Sequence, residues 1–255
     1  MKKFDAFQIK LFMSVLMVLD HLPHIHGLLP PMWIGIFHLV TRCVSAWFAF
    51  MAVEGFLHTR NRIKYNARLF LWAGIMFAGN SLLKVILSSK DVYLGNNIFF
   101  TLALGVLILN MVSFQNDSIC RHIKYRKQLL VFLKVFLIAI ILAYGAIYSE
   151  GGYVLLPFML ITYLLRKNIK YRNIAYVILS VILAVPVFVS IQTYSNGFVM
   201  WDMMLFNSDW FFLSVLPFLY LYNGERGRND RFSKYFFYIF YPLHLWIIAA
   251  ISYIF

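Results

Sequence analysis

The sequence predicts an all-α polytopic membrane protein with about nine transmembrane helices, the N-terminus cytoplasmic and the C-terminus external. Three observations carry that prediction. Of 255 residues, 62% are hydrophobic and only 13% charged, with 26 Phe and 16 Tyr, a balance far from that of a water-soluble globule. The apolar residues come in blocks too long for soluble core elements. The polar breaks between blocks alternate between basic and acidic, as expected of a chain that crosses a membrane repeatedly. The corresponding organisation is one integral-membrane domain over residues 1–255, in a multi-pass protein of the cell membrane.

Cut at its polar breaks, the chain yields apolar segments at 8–27, 33–57, 66–88, 94–114, 129–148, 152–166, 172–194, 209–223 and 234–254. The first is read as a permanent span rather than a signal peptide, because it carries Asp20 and three His and lacks a small-residue cleavage site. The sixth and eighth are short for a ~30 Å hydrocarbon layer, so each is expected to be little tilted, broken or re-entrant.

Orientation follows from Lys and Arg. Lys2, Lys3 and Lys10 lie at the N-terminal end, and alternate loops carry Arg60, Arg62, Lys64 and Arg68, then Arg121, Lys124, Arg126 and Lys127, then Arg166, Lys167, Lys170 and Arg172, then Arg226, Arg228, Arg231 and Lys234. The opposite loops hold Lys90 with Asp91, Glu150, Asp202 and Asp209. The positive-inside rule therefore sets the N-terminus in the cytoplasm. An odd span count and the lack of a visible repeat argue against two equal inverted halves, the usual build of secondary transporters. The net charge of +13 is then largely topogenic and sits against anionic membrane lipid, so nucleic acid is not an expected partner. Cys43 and Cys120 fall at different depths, and no Cys/His cluster suggests a metal.

Polar residues within the spans stand where hydrophobicity alone would not put them. Lys10 and His21 are eleven residues apart; eleven helical steps of ~100° return nearly to the starting direction, so both face one way, roughly 16 Å apart along the axis. Ionisable groups there point to a functional site, against the alternatives of a snorkelling Lys10 and an interhelical hydrogen bond for His21. His24 and His26 follow at the external boundary, where a metal site would lack a completing carboxylate or Cys. Asp20 diverges from His21 by ~100° and needs its own partner. Arg42, at similar depth on the second span, is that candidate, because an unpaired charge there is very costly. His38, Arg42, Ser45 and Ala49 form a polar or small stripe suited to lining a cavity.

Glu54 and His58 stand four apart at the cytoplasmic end of the second span. The loop that follows has two readings. As chemistry, Arg60, Arg62, Lys64 and Arg68 grip phosphates while Tyr65 stacks on a base; as topology, it is an ordinary cytoplasmic loop. Ser149-Glu150-Gly151-Gly152-Tyr153 places a carboxylate and two glycines at an external turn, where backbone bends into a cavity. Phe240-Tyr241-Pro242-Leu243-His244 places Pro and His inside the last span, which predicts a helix kinked over something polar.

Five pieces recur in a known order and spacing: Met17-Val18-Leu19-Asp20-His21; Arg42 with Phe48-Ala49-Phe50 and Glu54-Gly55-Phe56-Leu57-His58-Thr59-Arg60; Lys64-Tyr65-x-x-Arg68-Leu69; Asn97-Ile98-Phe99-Phe100-Thr101-Leu102-x-x-Gly105; and Tyr241-Pro242-Leu243-His244-Leu245. From Ile9 to about Ile248 the chain resembles the TraX family, named for the F-pilin acetylation protein and related to the transmembrane acyltransferases that include the family-three O-acyltransferases. Lys10 and His21 match the wider group's pattern of Arg or Lys, ten residues, then His. Thr41 stands where Gly is expected, Ala46-Trp47 replace a Pro region, and Ser149-Glu150-Gly151 replaces an Asp-Tyr-Gly-like turn; these departures bear on the acceptor rather than the fold.

The resemblance implies a membrane acyltransferase using acyl-CoA, acetyl-CoA above all, as cytoplasmic donor substrate, with no metal. The implied acceptor is an external amine or hydroxyl on a pilin-like protein, glycan or envelope polymer. Lys10, Arg60, Arg62, Lys64, Tyr65 and Arg68 would then hold the nucleotide and phosphates. His21 would act as general base or transient nucleophile. Asp20, Arg42, Glu54, Glu150 and His244 complete the candidate catalytic set, orienting the site or stabilising an oxyanion. The competing readings are a transporter or flippase with a polar central cavity and a non-catalytic assembly protein.

Overall fold

The computed structural model describes residues 3–90, 92, 94–114, 124–193, 204, 205 and 207–254. Among them the regular elements are helical, and the β-type pairing is one isolated parallel bridge between Phe4 and Tyr222. The helices are α1 (Ala6–His21), α2 (Pro31–His58), α3 (Arg62–Ile86), α4 (Ile98–Ser113), α5 (Lys124–Tyr148), α6 (Gly152–Leu164), α7 (Ile169–Thr193), α8 (Leu216–Leu221) and α9 (Arg231–Ile254), with a 3₁₀ stretch over Ser208–Val215 leading into α8. Asp91, Cys120, Arg121 and Asp202 lie outside the described residues, as do the side chains of Lys124, Arg126, Lys127 and Arg231.

Local chemistry sets the boundaries. Asp5 and Gln8 form a reciprocal capping box that starts α1. Pro30 and Pro31 open α2, where a missing N–H costs nothing. Asn61 and Asn97 cap α3 and α4 by accepting from the Lys64 and Phe100 amides. Asp230 accepts from the Ser233 amide at 2.8 Å, and that hydrogen bond holds its carboxyl below the ordinary carboxylate range.

Among the described residues, six helices are long and apolar enough to cross a membrane, and three shorter apolar ones, Ile98–Ser113, Gly152–Leu164 and Ser208–Leu221, pack with them. The fourth segment is shorter than predicted, because residues 94–97 lie outside the helix and Asn97 caps its start. The eighth is broken, as its length suggested. Its 3₁₀ half rises faster, so fourteen residues still reach roughly 25 Å at ~2.0 and ~1.5 Å per residue.

α4 and α6 sit at the centre, where Ala103, Val106, Leu109, Phe158 and Met159 are fully buried. α5 and α7 are the reverse: only 6% and 11% of their apolar stretches are buried inside the bundle, the surface expected of helices facing acyl chains. The ends are pinned by hydrogen bonds. Lys3 N donates to Leu221 O, Asn223 N to Phe4 O and Ala6 N to Glu225 O, each at 2.9 Å. At the opposite end Ser252 Oγ donates to His24 O at 2.9 Å, and Ser89 meets Tyr253 at 2.7 Å. The helices thus alternate between a basic end, holding the N-terminus and the α2–α3 and α8–α9 loops, and an opposite end holding the α5–α6 turn.

Candidate active site

A cavity of about 680 Å³ opens at the basic end. Arg60 and Arg68 enter it from the α2–α3 side, Arg226, Arg228 and Lys234 from the α8–α9 side, and Lys10 from α1. Among the described residues, Glu54 is its one carboxylate. Lys10 Nζ lies 5.4 Å from the centre of the Phe237 ring, so this lysine points into the bundle and does not snorkel outward. Lys10, Ser14 and Met17 follow helical spacing along one face of α1 and all line the cavity. The next residue on that face is His21.

The cavity's inner end is formed by Met17, Ile98, Leu102 and Tyr241, and here it meets a buried polar cluster. His21 Nδ1 lies 2.7 Å from Met17 O. A carbonyl only accepts, so the neutral ring carries its proton on Nδ1 and keeps its lone pair on Nε2. Asn96 Nδ2 stands 3.5 Å from that Nε2 and donates to Glu150 Oε1 at 3.0 Å. Tyr241 donates to Glu150 Oε2 at 2.8 Å and accepts from Ile98 N at 3.1 Å. The His244 ring is 5.2 Å from that of His21. Its Nδ1 meets Phe240 O at 2.9 Å, while its buried Nε2 has no hydrogen-bond partner among the described residues. Pro242 lies inside α9, which remains helical across it.

Glu150 reaches this cluster because of the two glycines behind it. Gly151 adopts φ 61°, a left-handed conformation that favours glycine. A Cβ on Gly152 would stand 2.0 Å from Gly145 O. The turn therefore folds tightly enough for Thr101 Oγ1 to donate to Glu150 O at 2.7 Å.

A second network lies on the other side of α1. Arg42 Nη2 meets Asp20 Oδ1 at 3.2 Å, the ion pair expected from their depths, and Arg42 Nη1 meets Asp209 Oδ1 at 2.6 Å. Thr41 Oγ1 donates to Asp20 at 2.5 Å, His38 Nδ1 lies 3.7 Å from the same carboxylate, and the Tyr153 hydroxyl donates to Asp209. Asp20 and His21, adjacent in sequence, thus belong to different networks, as their ~100° divergence requires.

The structure brings His21, Glu150 and His244 together, and Asp20 with Arg42. Glu54 stands apart at the basic end, where its side chain lies 3.8 Å from His58 Nδ1. Lys10, Arg60, Tyr65 and Arg68 line the cavity. Tyr65 does so as a wall, its hydroxyl donating to Ala52 O at 3.3 Å. Arg62 and Lys64 are exposed and do not line it; the Arg62 guanidinium covers the Phe56 ring at 4.6 Å. α2 presents Phe48, Met51, Ala52 and Gly55 to the cavity rather than the expected stripe of His38, Arg42, Ser45 and Ala49, because that stripe turns toward Asp20 and the 3₁₀ stretch. Among the described residues no group of three His, Cys, Asp or Glu side chains is placed to hold a metal ion.

The family model described as TraX protein matches residues 6–252. The chain belongs to the TraX family. It is 28% identical over 254 residues to a Dichelobacter nodosus protein described as "Probable fimbrial assembly protein FimC, serogroup H1", an alignment covering 97% of this chain and 95% of that one. No solved structure matches. Sequence reading of this TraX-family chain missed Asn96, Tyr241 and Asp209 as site residues, and treated Arg226, Arg228 and Lys234 only as topogenic charge. Asn96 adjoins a helix cap and Tyr241 precedes a helical proline, so each had a structural explanation that hid its position.

Proposed function

We propose that this TraX-family protein is a membrane-embedded acyltransferase, moving an acyl group, acetyl above all, from cytoplasmic acyl-CoA to an amine or hydroxyl acceptor on the external side. One observation carries the reading: a cavity with a cationic mouth ends at Met17 and Tyr241, one helical turn short of His21 and against the Glu150 cluster. Six basic side chains and one carboxylate suit a polyphosphate at the mouth. The apolar inner wall suits a pantetheine arm, whose thioester then lies near His21. In this reading all nine apolar segments lie within the membrane, with the basic end in the cytoplasm and the Glu150 end outside.

The acceptor's nitrogen or oxygen attacks the thioester carbonyl carbon, and its proton passes to His21 Nε2. The carbon–sulfur bond then breaks, and CoA leaves as a thiolate that takes up a proton. Arg42, held by two carboxylates, orients the acceptor side. The fimbrial description of the relative favours a fimbrial subunit as acceptor, with a glycan or envelope polymer as the other outcomes.

The test is incubation of purified protein with labelled acetyl-CoA and envelope fractions. Wild-type protein transfers label or slowly releases CoA; His21→Ala lowers that rate by about 10³-fold or more while still titrating with CoA. Full activity in the variant overturns the role of His21. Uptake of a solute into liposomes without CoA release would favour transport instead.

A further inference from the structure

We infer that Asn96 is the positioning residue of this site: its single amino group holds the His21 lone pair and the Glu150 carboxylate in register. The amide turns its nitrogen toward Glu150, donating to Oε1 at 3.0 Å. That same nitrogen is the group 3.5 Å from His21 Nε2, where His21 keeps its lone pair because Nδ1 is committed to Met17 O at 2.7 Å. The longer contact is the one a substrate hydrogen would replace, whereas the shorter one persists.

Asn96 is itself braced from two further helices. Asn80 Nδ2 donates to Asn96 O at 3.0 Å, and Trp246 Nε1 donates to Asn80 Oδ1 at 3.0 Å. Asn97, next in the chain, caps α4 and donates to Ala73 O at 3.0 Å. The residue that links base to carboxylate therefore sits on backbone secured from both sides. Asn96 and Asn80 also line a crevice of about 10 Å³ with His24 and Ser252, room for about one water. Asn96 thus stands between this crevice and the His21–Glu150 pair.

The experiment uses Asn96→Leu, which keeps the branched shape and removes both donors, in the full-length protein in nanodiscs with ¹⁵N-labelled histidine. Wild-type His21 shows a protonated Nδ1 and an Nε2 that accepts a hydrogen bond; in the variant the Nε2 resonance moves downfield. An unmoved resonance overturns the inference. The rate arm rests on the acyltransferase reading. There, Asn96→Leu lowers kcat by about a hundredfold with the KM for acetyl-CoA unchanged, and a retained kcat overturns the inference. Should wild-type protein release no CoA, the acyltransferase reading fails and the resonance alone decides the role of Asn96. Asn96→Ala, read in the same two ways, serves if Leu prevents folding, and an acetyl-CoA titration equal to wild type reports an intact fold.

Discussion

The two ends of this bundle use charge in opposite ways. At the basic end, Lys10, Arg60, Arg68, Arg226, Arg228 and Lys234 surround a cavity whose lining holds one carboxylate, Glu54. At the other, Arg42 meets two carboxylates, Asp20 and Asp209, at 3.2 and 2.6 Å, and Glu150 is closed in by Asn96 and Tyr241. Gathered cations repel one another and favour an anionic ligand, whereas a cation set between carboxylates attracts both and ties together the segments that carry them. Cations without facing carboxylates therefore mark a place to bind an anion, and a cation already paired marks a contact within the chain.

The sharpest way to break this contrast is at Arg42. Arg42→Leu leaves Asp20 and Asp209 facing each other without their cation, and should lower stability by about 3 kcal/mol or more, read from unfolding of the purified protein in mixed micelles. The same experiment on Arg68→Ala should leave stability nearly unchanged. Instead it should weaken acyl-CoA binding about tenfold, one charge-assisted contact of about 1.5 kcal/mol. Raising salt to about 1 M, where the Debye length shrinks to ~3 Å, should weaken binding in wild type more than in the variant. Equal binding by Arg68→Ala at low salt would remove that arginine from the donor site. The smallest effect is expected at Asn61, whose side chain accepts from the Lys64 amide at 2.9 Å. Asn61→Ala should cost about 1 kcal/mol of stability and leave donor binding intact, which separates shaping the basic end from charging it.

How much was legible in the chain differs between the two ends for the same reason. Lys10 and His21 share a face because helix geometry places residues eleven apart in one direction, so the link between cavity and base could be read without a partner helix. Asp20 and Arg42 could be matched by depth on consecutive spans. Asp209 could not: it meets Arg42 from a 3₁₀ segment 167 residues away, and no local periodicity encodes that approach. Arg226, Arg228 and Lys234 carried a sufficient explanation as topogenic charge. Arg62 illustrates the converse, a basic residue within the loop chosen for phosphate binding whose guanidinium instead covers Phe56.

The sequence by itself determined the membrane class, the alternation of basic and acidic ends, and the shared face of Lys10 and His21. All of these follow from transfer free energy and from the 3.6-residue repeat, which act within one segment. Tertiary structure alone decided that Asn96, Glu150 and Tyr241 converge on His21, and that cations from α1, the α2–α3 loop and the α8–α9 loop enclose one cavity. Those meetings depend on how separate helices pack against one another, a relation between distant segments that periodicity along a single helix does not carry.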